Sequence, residues 1–254
     1  MLLLLDIGNT AVTYGIYQGK RLLSHRSIVN DDIPKLFHIF DKSGGFSINN
    51  VVISTVVPQI THKILKRLKR IPGAKIWVVG KDLKVPINHK YNRLNELGID
   101  RQVNIFGALK MHNPPLLLLD YGTALTVDYI SSRSVFEGGM IIPGPETAFQ
   151  SLIRKAALLP KKSRLPKKKG NFLGRNTADC LRSGILEGYG AMTDELVARY
   201  KRNFGNDLRV MATGGFAMCL KAYVRSFDIV DPQLSIKSLF LLFEDLQKKT
   251  QKKS

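Results

Sequence analysis

Residues 2–9 read LLLLDIGN, and residues 116–122 read LLLLDYG. In both places four leucines end in an aspartate, and a glycine follows two residues after it. An uninterrupted apolar run of this length is typical of a buried strand, and a glycine allows the chain to turn back sharply. The two aspartates, Asp6 and Asp120, lie 114 positions apart. This period is too long for a solenoid repeat, and it predicts an internal duplication instead.

The residues around each leucine run predict the same order of elements. Each run is the first of three strand-like segments, and alternating helical and strand-like patterns follow it. Helices are predicted in the second half at about 145–158, 177–203 and 235–248. We therefore expect an α/β protein of two similar domains, residues 1–113 and 114–254, with ligands bound in the cleft between them.

The composition is that of an ordinary globular protein. Hydrophobic residues make up 44% of the 254 residues and charged residues 23%, which are usual fractions for a soluble chain. No apolar run approaches the roughly 20 residues that a membrane span needs. The opening MLLLLD has no basic region before it and is cut short at Asp6, so it is not expected to be a signal peptide. The sequence predicts a cytoplasmic protein that does not bind membranes.

Several classes of active site are excluded because their motifs are missing. Cys180 and Cys219 are too few for a disulfide framework or a cysteine-rich metal site. The sequence contains no HExxH, CxxC or GxSxG motif, which argues against a metal hydrolase and a serine hydrolase. It also lacks GxxxxGKS and GxxxxGKT, so the chain is not a P-loop enzyme.

Positive charge is concentrated in two places. The chain has 39 Lys and Arg residues against 20 Asp and Glu residues, a formal net charge of +19. Ten of the basic residues lie in KKSRLPKKKG at 161–170 and QKKTQKKS at 247–254. Such a charge attracts anionic ligands and polyanions. Neither run is interleaved with aromatic residues, so a solvated loop and a solvated tail are the favoured interpretation, and nucleic-acid binding is not expected.

The repeated turn suits phosphate binding. A carboxylate at the end of a buried strand is costly unless it has a partner. The tight turn after it can direct several backbone N–H groups at one anion, and the carboxylate can hold a cation. One such turn is common in β-hairpins, but two copies favour a polyphosphate site. TGG at 213–215, between a predicted strand and a predicted helix, would also let a phosphate or a flat ligand approach the backbone.

In this order and spacing, the motifs resemble those of a known family. DIGNT, DYGTALTVD and TGG look like the phosphate and adenosine motifs of the actin, Hsp70 and sugar kinase superfamily. Within it the chain resembles type III pantothenate kinase, through segments that span almost its whole length: DIGNTAVT (6–13), ISTVVP (53–58), YNRLNELGIDR (91–101), DYGTALTVD (120–128), GGMIIPG (138–144), GRNTADCLRSG (174–184) and TGG. The resemblance implies two duplicated actin-like (ribonuclease H-like) domains. It also implies transfer of the γ-phosphoryl group of ATP to the primary hydroxyl of pantothenate, which gives 4′-phosphopantothenate in the first step towards coenzyme A.

The resemblance also implies roles for individual residues. Asp100 matches the general base of the family, although an aspartate here could also cap the helix that follows it. Arg101 matches the residue that holds pantothenate, whose carboxylate suits a guanidinium. Thr177 matches a further substrate contact and could equally cap the next helix. The full set of implied substrate contacts is Tyr91, Gly98, Ile99, Asp100, Arg101 and Thr177.

The same resemblance implies residues for the nucleotide and for ions. ATP would be bound by the first turn and by one threonine of the second, namely Asp6, Ile7, Gly8, Asn9, Thr10, Ala11, Val12, Thr13 and Thr123. Asp120 matches the residue that coordinates a monovalent cation, potassium or ammonium, near the phosphates. Magnesium is expected to accompany ATP, held mostly by phosphates and water.

The active unit of the family is a homodimer, and the resemblance implies one here. The apolar helix faces at 103–111 and 185–197 could supply the contact surface or could equally belong to the core. Two alternative functions stay open. One is a non-catalytic transcription accessory protein, because relatives have been named so and the chain is strongly basic. The other is a kinase or phosphatase of the same superfamily that acts on another small alcohol or phosphate.

Overall fold

The computed structural model describes residues 1–42, 48–156, 159 and 164–251. The chain forms two compact units. The first consists of Met1–Ile87, Asn92–Met111 and Gln233–Ser254, and the second of Asn88–Tyr91 and His112–Pro232. Each unit has its own sheet and its own apolar core.

The first unit is built on a five-stranded sheet. Its strands are, in chain order, β1 (Leu2–Ile7), β2 (Ala11–Gln18), β3 (Arg21–Val29), β4 (Asn50–Thr55) and β5 (Lys75–Val78). In the sheet their order is β3-β2-β1-β4-β5, so β1 lies in the centre, antiparallel to β2 and parallel to β4. A central strand is covered on both faces, which explains why all four leucines of the first run are buried.

Helices cover both faces of this sheet. They include α1 (Ile33–Lys42), α2 (Pro58–Leu68) and α3 (Ile99–Met111). The odd-numbered residues of β1 pack with α1 and α2, whereas Leu2 and Leu4 pack with Val103 and Phe106 of α3. Because side chains alternate along a strand, Asp6 lies on the same face of β1 as Leu2 and Leu4.

The second unit is built on a six-stranded sheet. Its strands are β6 (Asn88–His89), β7 (Leu116–Tyr121), β8 (Ala124–Ile130), β9 (Val135–Pro143), β10 (Arg209–Thr213) and β11 (Ile229–Val230). Their order is β11-β10-β7-β8-β9-β6, with β7 antiparallel to β8 and parallel to β10. Its helices are α4 (Pro145–Lys155), α5 (Thr177–Phe204) and α6 (Ala217–Leu220). α4 and α5 form one apolar core with the face of β7 that carries Leu117 and Leu119.

The two sheets confirm the predicted duplication. In each unit three successive strands form an antiparallel meander, and the first of them pairs in parallel with a later strand. The register around the two aspartates corresponds as well. Each aspartate lies between a threonine of the antiparallel neighbour and a hydroxyl residue of the parallel neighbour, which are Thr13 and Ser54 for Asp6, and Thr126 and Thr213 for Asp120.

Most predicted helices are found with small differences in length. α4 and α5 lie where helices were predicted, although residues 157 and 158 are outside the described part of the chain. The helix predicted after TGG is a single short turn, because α6 ends at Leu220. Beyond it the N–H groups of Tyr223 and Val224 both donate to the Leu220 carbonyl, at 2.8 Å and 2.9 Å, in a tight turn. None of the helices in the described residues is long and apolar enough to cross a membrane.

The last helix, α7 (Leu234–Gln251), belongs to the first unit although it follows the second in sequence. Its residues Ile236 and Leu239 are buried in the same core as Leu4 and Phe106. The apolar pattern of the helix indicated a buried face, but a pattern does not specify which sheet that face will cover.

The observed units therefore differ from the predicted division into residues 1–113 and 114–254. Gln233–Ser254 joins the first unit because α7 packs there. Asn88–Tyr91 joins the second unit, because β6 pairs in parallel with β9. Both exceptions are contacts between residues far apart in sequence.

The two apolar helix faces considered for a dimer contact are core surfaces. In α3, Val103 and Phe106 are buried in the core of the first unit. In α5, Leu186 and Val197 are buried in the core of the second. These four residues therefore belong to the cores of the two units.

The crossing of α3 and α7 requires a glycine at position 107. A Cβ atom there would overlap the Ser238 hydroxyl and lie 2.8 Å from the Ser238 Cα. Gly107→Ala is therefore expected to lower the free energy of unfolding by about 1–3 kcal/mol, because two packed helices would have to separate. The urea midpoint measures this effect.

Gly188→Ala in α5 is the matched control for this substitution. A Cβ atom at Gly188 would meet nothing within 4 Å, so this change is expected to raise the free energy of unfolding by about 0.5–1 kcal/mol through helix propensity. If Gly107→Ala left the urea midpoint unchanged, the close crossing of α3 and α7 would be contradicted.

Candidate active site

The first turn, between β1 and β2, is held by hydrogen bonds within the first unit. The Gly8 N–H donates to the Ala11 carbonyl at 3.0 Å. The side-chain amide of Asn30 donates to the carbonyls of Gly8 and Asn9, at 3.1 Å and 2.8 Å. Because Asn30 takes up these carbonyl oxygens, an anion at the turn would meet N–H groups rather than competing acceptors.

Asp6 lies half-buried near the end of β1, in an acidic environment. Burial raises the pKa of its carboxyl group to about 6, and the negative charge of Asp100 adds to this rise. The hydroxyls of Ser54 on β4 and Ser235 at the start of α7 act in the opposite direction. The first unit thus brings Asp6 and Asp100, which are far apart in sequence, into one electrostatic neighbourhood.

Asp100 is the second residue of α3, not the residue that precedes the helix. Its Oδ1 accepts the Arg101 N–H at 2.8 Å, so the predicted capping role is corrected to an interaction from within the first turn. An acidic side chain is favourable at this end of a helix. Gly98 leaves room for the carboxylate, since a Cβ atom there would lie 2.5 Å from Oδ1.

The loop before α3 is fixed by Gln102. The side-chain amide of this residue donates to the carbonyls of Leu97 and Leu94, at 2.8 Å and 3.3 Å. Its backbone N–H donates to the Gly98 carbonyl at 3.1 Å. Gln102 is buried, and hydrogen bonds shielded from water are strong. They hold the segment that carries Asp100 in a defined position.

The other predicted substrate contacts are divided between the units. In the first, Arg101 is buried, with 7% of its surface exposed, and Ile99 packs against the apolar core. Tyr91 belongs to the second unit, where its ring stacks on Phe136 with the centroids 5.7 Å apart.

Thr177 is the exposed first residue of α5 in the second unit. The residue that caps this helix is Asn176, whose Oδ1 accepts the Asp179 N–H at 2.9 Å. The alternative that Thr177 caps α5 is therefore wrong.

The second turn, between β7 and β8, has the same hydrogen bond across its base as the first. The Gly122 N–H donates to the Ala124 carbonyl at 3.0 Å. The Thr123 carbonyl accepts the Gly144 N–H at 3.0 Å and the Thr147 hydroxyl at 2.6 Å. The start of α4 is thereby attached to this turn.

The TGG segment packs directly on Asp120 within the second unit. Gly214 has φ +89°, a left-handed conformation that favours glycine. A Cβ atom at this position would overlap the Asp120 carboxylate and lie 2.7 Å from the backbone of Tyr121. The Phe216 N–H also donates to the Tyr121 carbonyl at 3.2 Å. Asp120, the second turn and TGG therefore form one local structure.

This local structure fits the donor requirements of a cation bound beside phosphate. The Asp120 carboxylate and the carbonyl oxygens of the turn are hard oxygen donors, which alkali and alkaline-earth cations prefer. The absence of a side chain at Gly214 lets the TGG backbone pack directly against this carboxylate.

These features belong to one protein family. The sequence profile of type III pantothenate kinase matches residues 2–199. The chain belongs to the type III pantothenate kinase family. A type III pantothenate kinase of Persephonella marina is 36% identical over 252 residues, which cover 96% of this chain and 98% of that protein.

Solved structures share the fold of this pantothenate kinase family member. A Baf family protein of Campylobacter jejuni, named as a transcriptional activator, superposes with a TM-score of 0.57 at 18% identity and covers 97% of this chain and 99% of its own. MreB5 of Spiroplasma citri, solved with bound ADP, superposes with a TM-score of 0.51 at 13% identity and covers 98% of each chain. At these identities the likeness shows the fold alone. It confirms the prediction of two actin-like domains.

Sequence reasoning missed the residues that support the predicted ones. Ser54 could have been found, because it occupies in the first unit the register position of Thr213 in the second. Asn30, Gln102 and Ser235 carry no comparable signal, since each acts through contacts that only the folded chain creates.

Proposed function

We propose that this protein catalyses the ATP-dependent phosphorylation of pantothenate to 4′-phosphopantothenate, the first step of coenzyme A biosynthesis. The observation that carries the proposal is that the first unit places Asp100 where its charge raises the pKa of Asp6, the carboxylate at the start of the turn that Asn30 holds. Membership of the type III pantothenate kinase family supports the reaction and both substrates, ATP and pantothenate.

Asp100 is the proposed general base. It would accept the proton of the primary hydroxyl of pantothenate as that oxygen bonds to the γ-phosphorus and the bond to the ADP oxygen breaks. Its position at the start of a rigid helix, with Gly98 beside it, supports this role because a base must be held in place.

Asp6, the backbone of residues 7–13 and Thr123 are the proposed ATP contacts. Two carboxylates as close as Asp6 and Asp100 repel each other, which is one cause of the raised pKa of Asp6. Positive charge brought with ATP would relieve that repulsion. Magnesium bound with ATP would supply such charge and would help to neutralise the phosphates.

Arg101 is the proposed partner of the pantothenate carboxylate, because a guanidinium can form two parallel hydrogen bonds with it. Its burial supports the role, since a shielded ion pair is stronger than an exposed one. Tyr91, Gly98, Ile99 and Thr177 are the remaining proposed substrate contacts.

Asp120 is the proposed ligand of a potassium or ammonium ion. Support comes from the oxygen donors of the second turn and from the close packing of Gly214 on the Asp120 carboxylate. We also propose that the protein is a cytoplasmic homodimer, as the family resemblance implies.

Association with nucleic acid is the second candidate function. It is favoured by the net charge of +19 and by the fold shared with a protein named as a transcriptional activator. A protein without kinase activity has no physical need for two phosphate turns and a positioned Asp100, so the kinase is the preferred function.

The decisive experiment measures ADP release from the purified protein with magnesium and ATP, with and without pantothenate, in potassium and then in sodium buffer. Pantothenate-dependent turnover that requires potassium supports the kinase and the cation site together. If dimeric protein released no ADP in response to pantothenate, even with potassium or ammonium, the kinase would be rejected. Salt-sensitive binding to duplex DNA would then favour the second candidate.

A further inference from the structure

Part of the basic run at 161–170 packs against the rest of the second unit. Its described residues are 164–170. Leu165 is buried in the apolar core, and its N–H donates to the Glu146 carboxylate at 3.0 Å. At the other end, the Gly170 N–H donates to the Tyr223 hydroxyl at 3.3 Å. This segment is therefore anchored at both ends, which differs from the solvated loop expected from the sequence.

Between these anchors, Lys167 reaches the TGG turn. Its Nζ donates to the Gly215 carbonyl at 2.7 Å and lies 4.6 Å from the centroid of the Phe216 ring. A cation over an aromatic face is stabilised by the ring electrons. The charge also acts on Cys219: burial raises the pKa of that thiol, and the positive charge of Lys167 opposes the rise. Two contacts thus hold one ammonium group at the beginning of α6.

The ammonium group is placed to take up an anion. An ammonium has three N–H donors, and the Gly215 carbonyl accepts from one of them. The Lys167 side chain is exposed, and none of the carboxylates in the described ranges forms an ion pair with it. The preceding glycine, Gly214, is the residue that packs against Asp120.

We propose that Lys167 forms an anion subsite at the TGG turn and contacts a phosphate group of the bound nucleotide. The inference rests on the proposed ATP-dependent function, since ATP is the substrate that would bring phosphate to this turn. The segment 164–170, named the strap here, is anchored at both ends and thereby positions the ammonium group at the turn. Lysine suits this task because it binds phosphate as a compact point charge.

A purely mechanical role is the competing explanation. In that case Lys167 would only brace the Gly215 carbonyl, and its charge would not matter for ligands. Lys167→Gln separates the two roles, because it keeps an N–H donor for that carbonyl but removes the charge. Lys167→Arg keeps both features. Lys168→Gln is the matched control, since it removes an exposed charge from the next position of the same strap.

The experiment measures the dissociation constants of ATP, ADP and adenosine by calorimetry for the wild-type protein and the three variants. For Lys167→Gln we expect ATP and ADP to bind about tenfold more weakly. This factor corresponds to the loss of one hydrogen bond to a charged group. Adenosine should change by less than about twofold, because it carries no phosphate. Lys167→Arg and Lys168→Gln should stay close to the wild type.

Other outcomes overturn the subsite. An equal loss for adenosine and ADP would mean that Lys167 only braces the turn, and an equal effect of Lys168→Gln would mean general electrostatic attraction. Unchanged binding in Lys167→Gln would also reject the proposal. If the variants discriminate the nucleotides as expected but pantothenate gives no turnover, only the proposed kinase reaction fails. If turnover is normal and the two glutamine variants behave alike, only this subsite fails.

Discussion

Replacing Asp100 with asparagine is expected to lower kcat for pantothenate phosphorylation by about 10²–10⁴-fold, the usual contribution of a general base. Asparagine keeps an oxygen that can accept the Arg101 N–H, the bond that the Asp100 carboxylate makes at 2.8 Å. The start of α3 should therefore stay intact while the proton acceptor is lost. Steady-state kinetics with saturating pantothenate, together with the KM for ATP, measure the effect, and the KM should change little.

Glu96→Gln is the control for charge. Glu96 is an exposed carboxylate that pairs with Arg93 just before α3, and its replacement should leave kcat within about twofold because an exposed pair of this kind contributes little. Asp100→Asn must also remain folded. Since the Asp100 charge contributes to the raised pKa of Asp6, its removal relieves a repulsion, and the free energy of unfolding at pH 7 should not fall. Full activity combined with a loss of stability would instead assign Asp100 to the helix end alone.

The sheets and most helices of this protein could be predicted from local sequence. A short leucine run such as LLLLD, followed closely by a glycine, predicts a buried strand, and its repetition indicated the duplicated meander. The boundaries of the two units could not be predicted in the same way. α7 is amphipathic whether it covers the first sheet or the second, and its contacts with the first, such as Ser238 against Gly107, arise only in the folded chain.

The candidate site likewise contains residues that the local sequence predicts and residues that only the folded structure identifies. Residues proposed to contact ATP or a cation, such as Asp6 and Asp120, could be found because their turns repeat. Ser235 influences Asp6 only because the folded chain brings the two residues together. No motif in the sequence around Ser235 indicates this contact. Lys167 shows a further difficulty. In the sequence it is one of several lysines in a basic run, and only the bond to the Gly215 carbonyl distinguishes it from Lys168.

Replacing Asp6 with asparagine is expected to stabilise the protein at neutral pH while it impairs the use of ATP. A carboxyl group whose pKa rises from 3.8 to about 6 on folding binds its proton more tightly in the folded state. The contribution of Asp6 to the stability of the wild-type protein therefore falls as the pH rises from about 4 to about 6, and the fall is complete above that range. It amounts to at most about 3 kcal/mol, from about two pKa units at 1.36 kcal/mol each. Asp6→Asn has no carboxyl group at this position, so its free energy of unfolding lacks this pH-dependent decrease.

Urea unfolding of both proteins between pH 4 and pH 8 measures this effect as a difference. The excess stability of Asp6→Asn should be near zero at pH 4, grow between pH 4 and pH 6, and stay constant above pH 6. Asp31→Asn is the control, because it removes an exposed carboxylate from the same unit and should give a small difference that varies little with pH. kcat/KM for ATP should fall in Asp6→Asn alone. A variant less stable than the wild type at pH 7.5 would mean that Asp6 is stabilising in the folded protein, and the stability cost inferred for this carboxylate would then be wrong. The expected combination, higher stability with lower activity, arises because a buried charge held for a ligand costs free energy until that ligand binds.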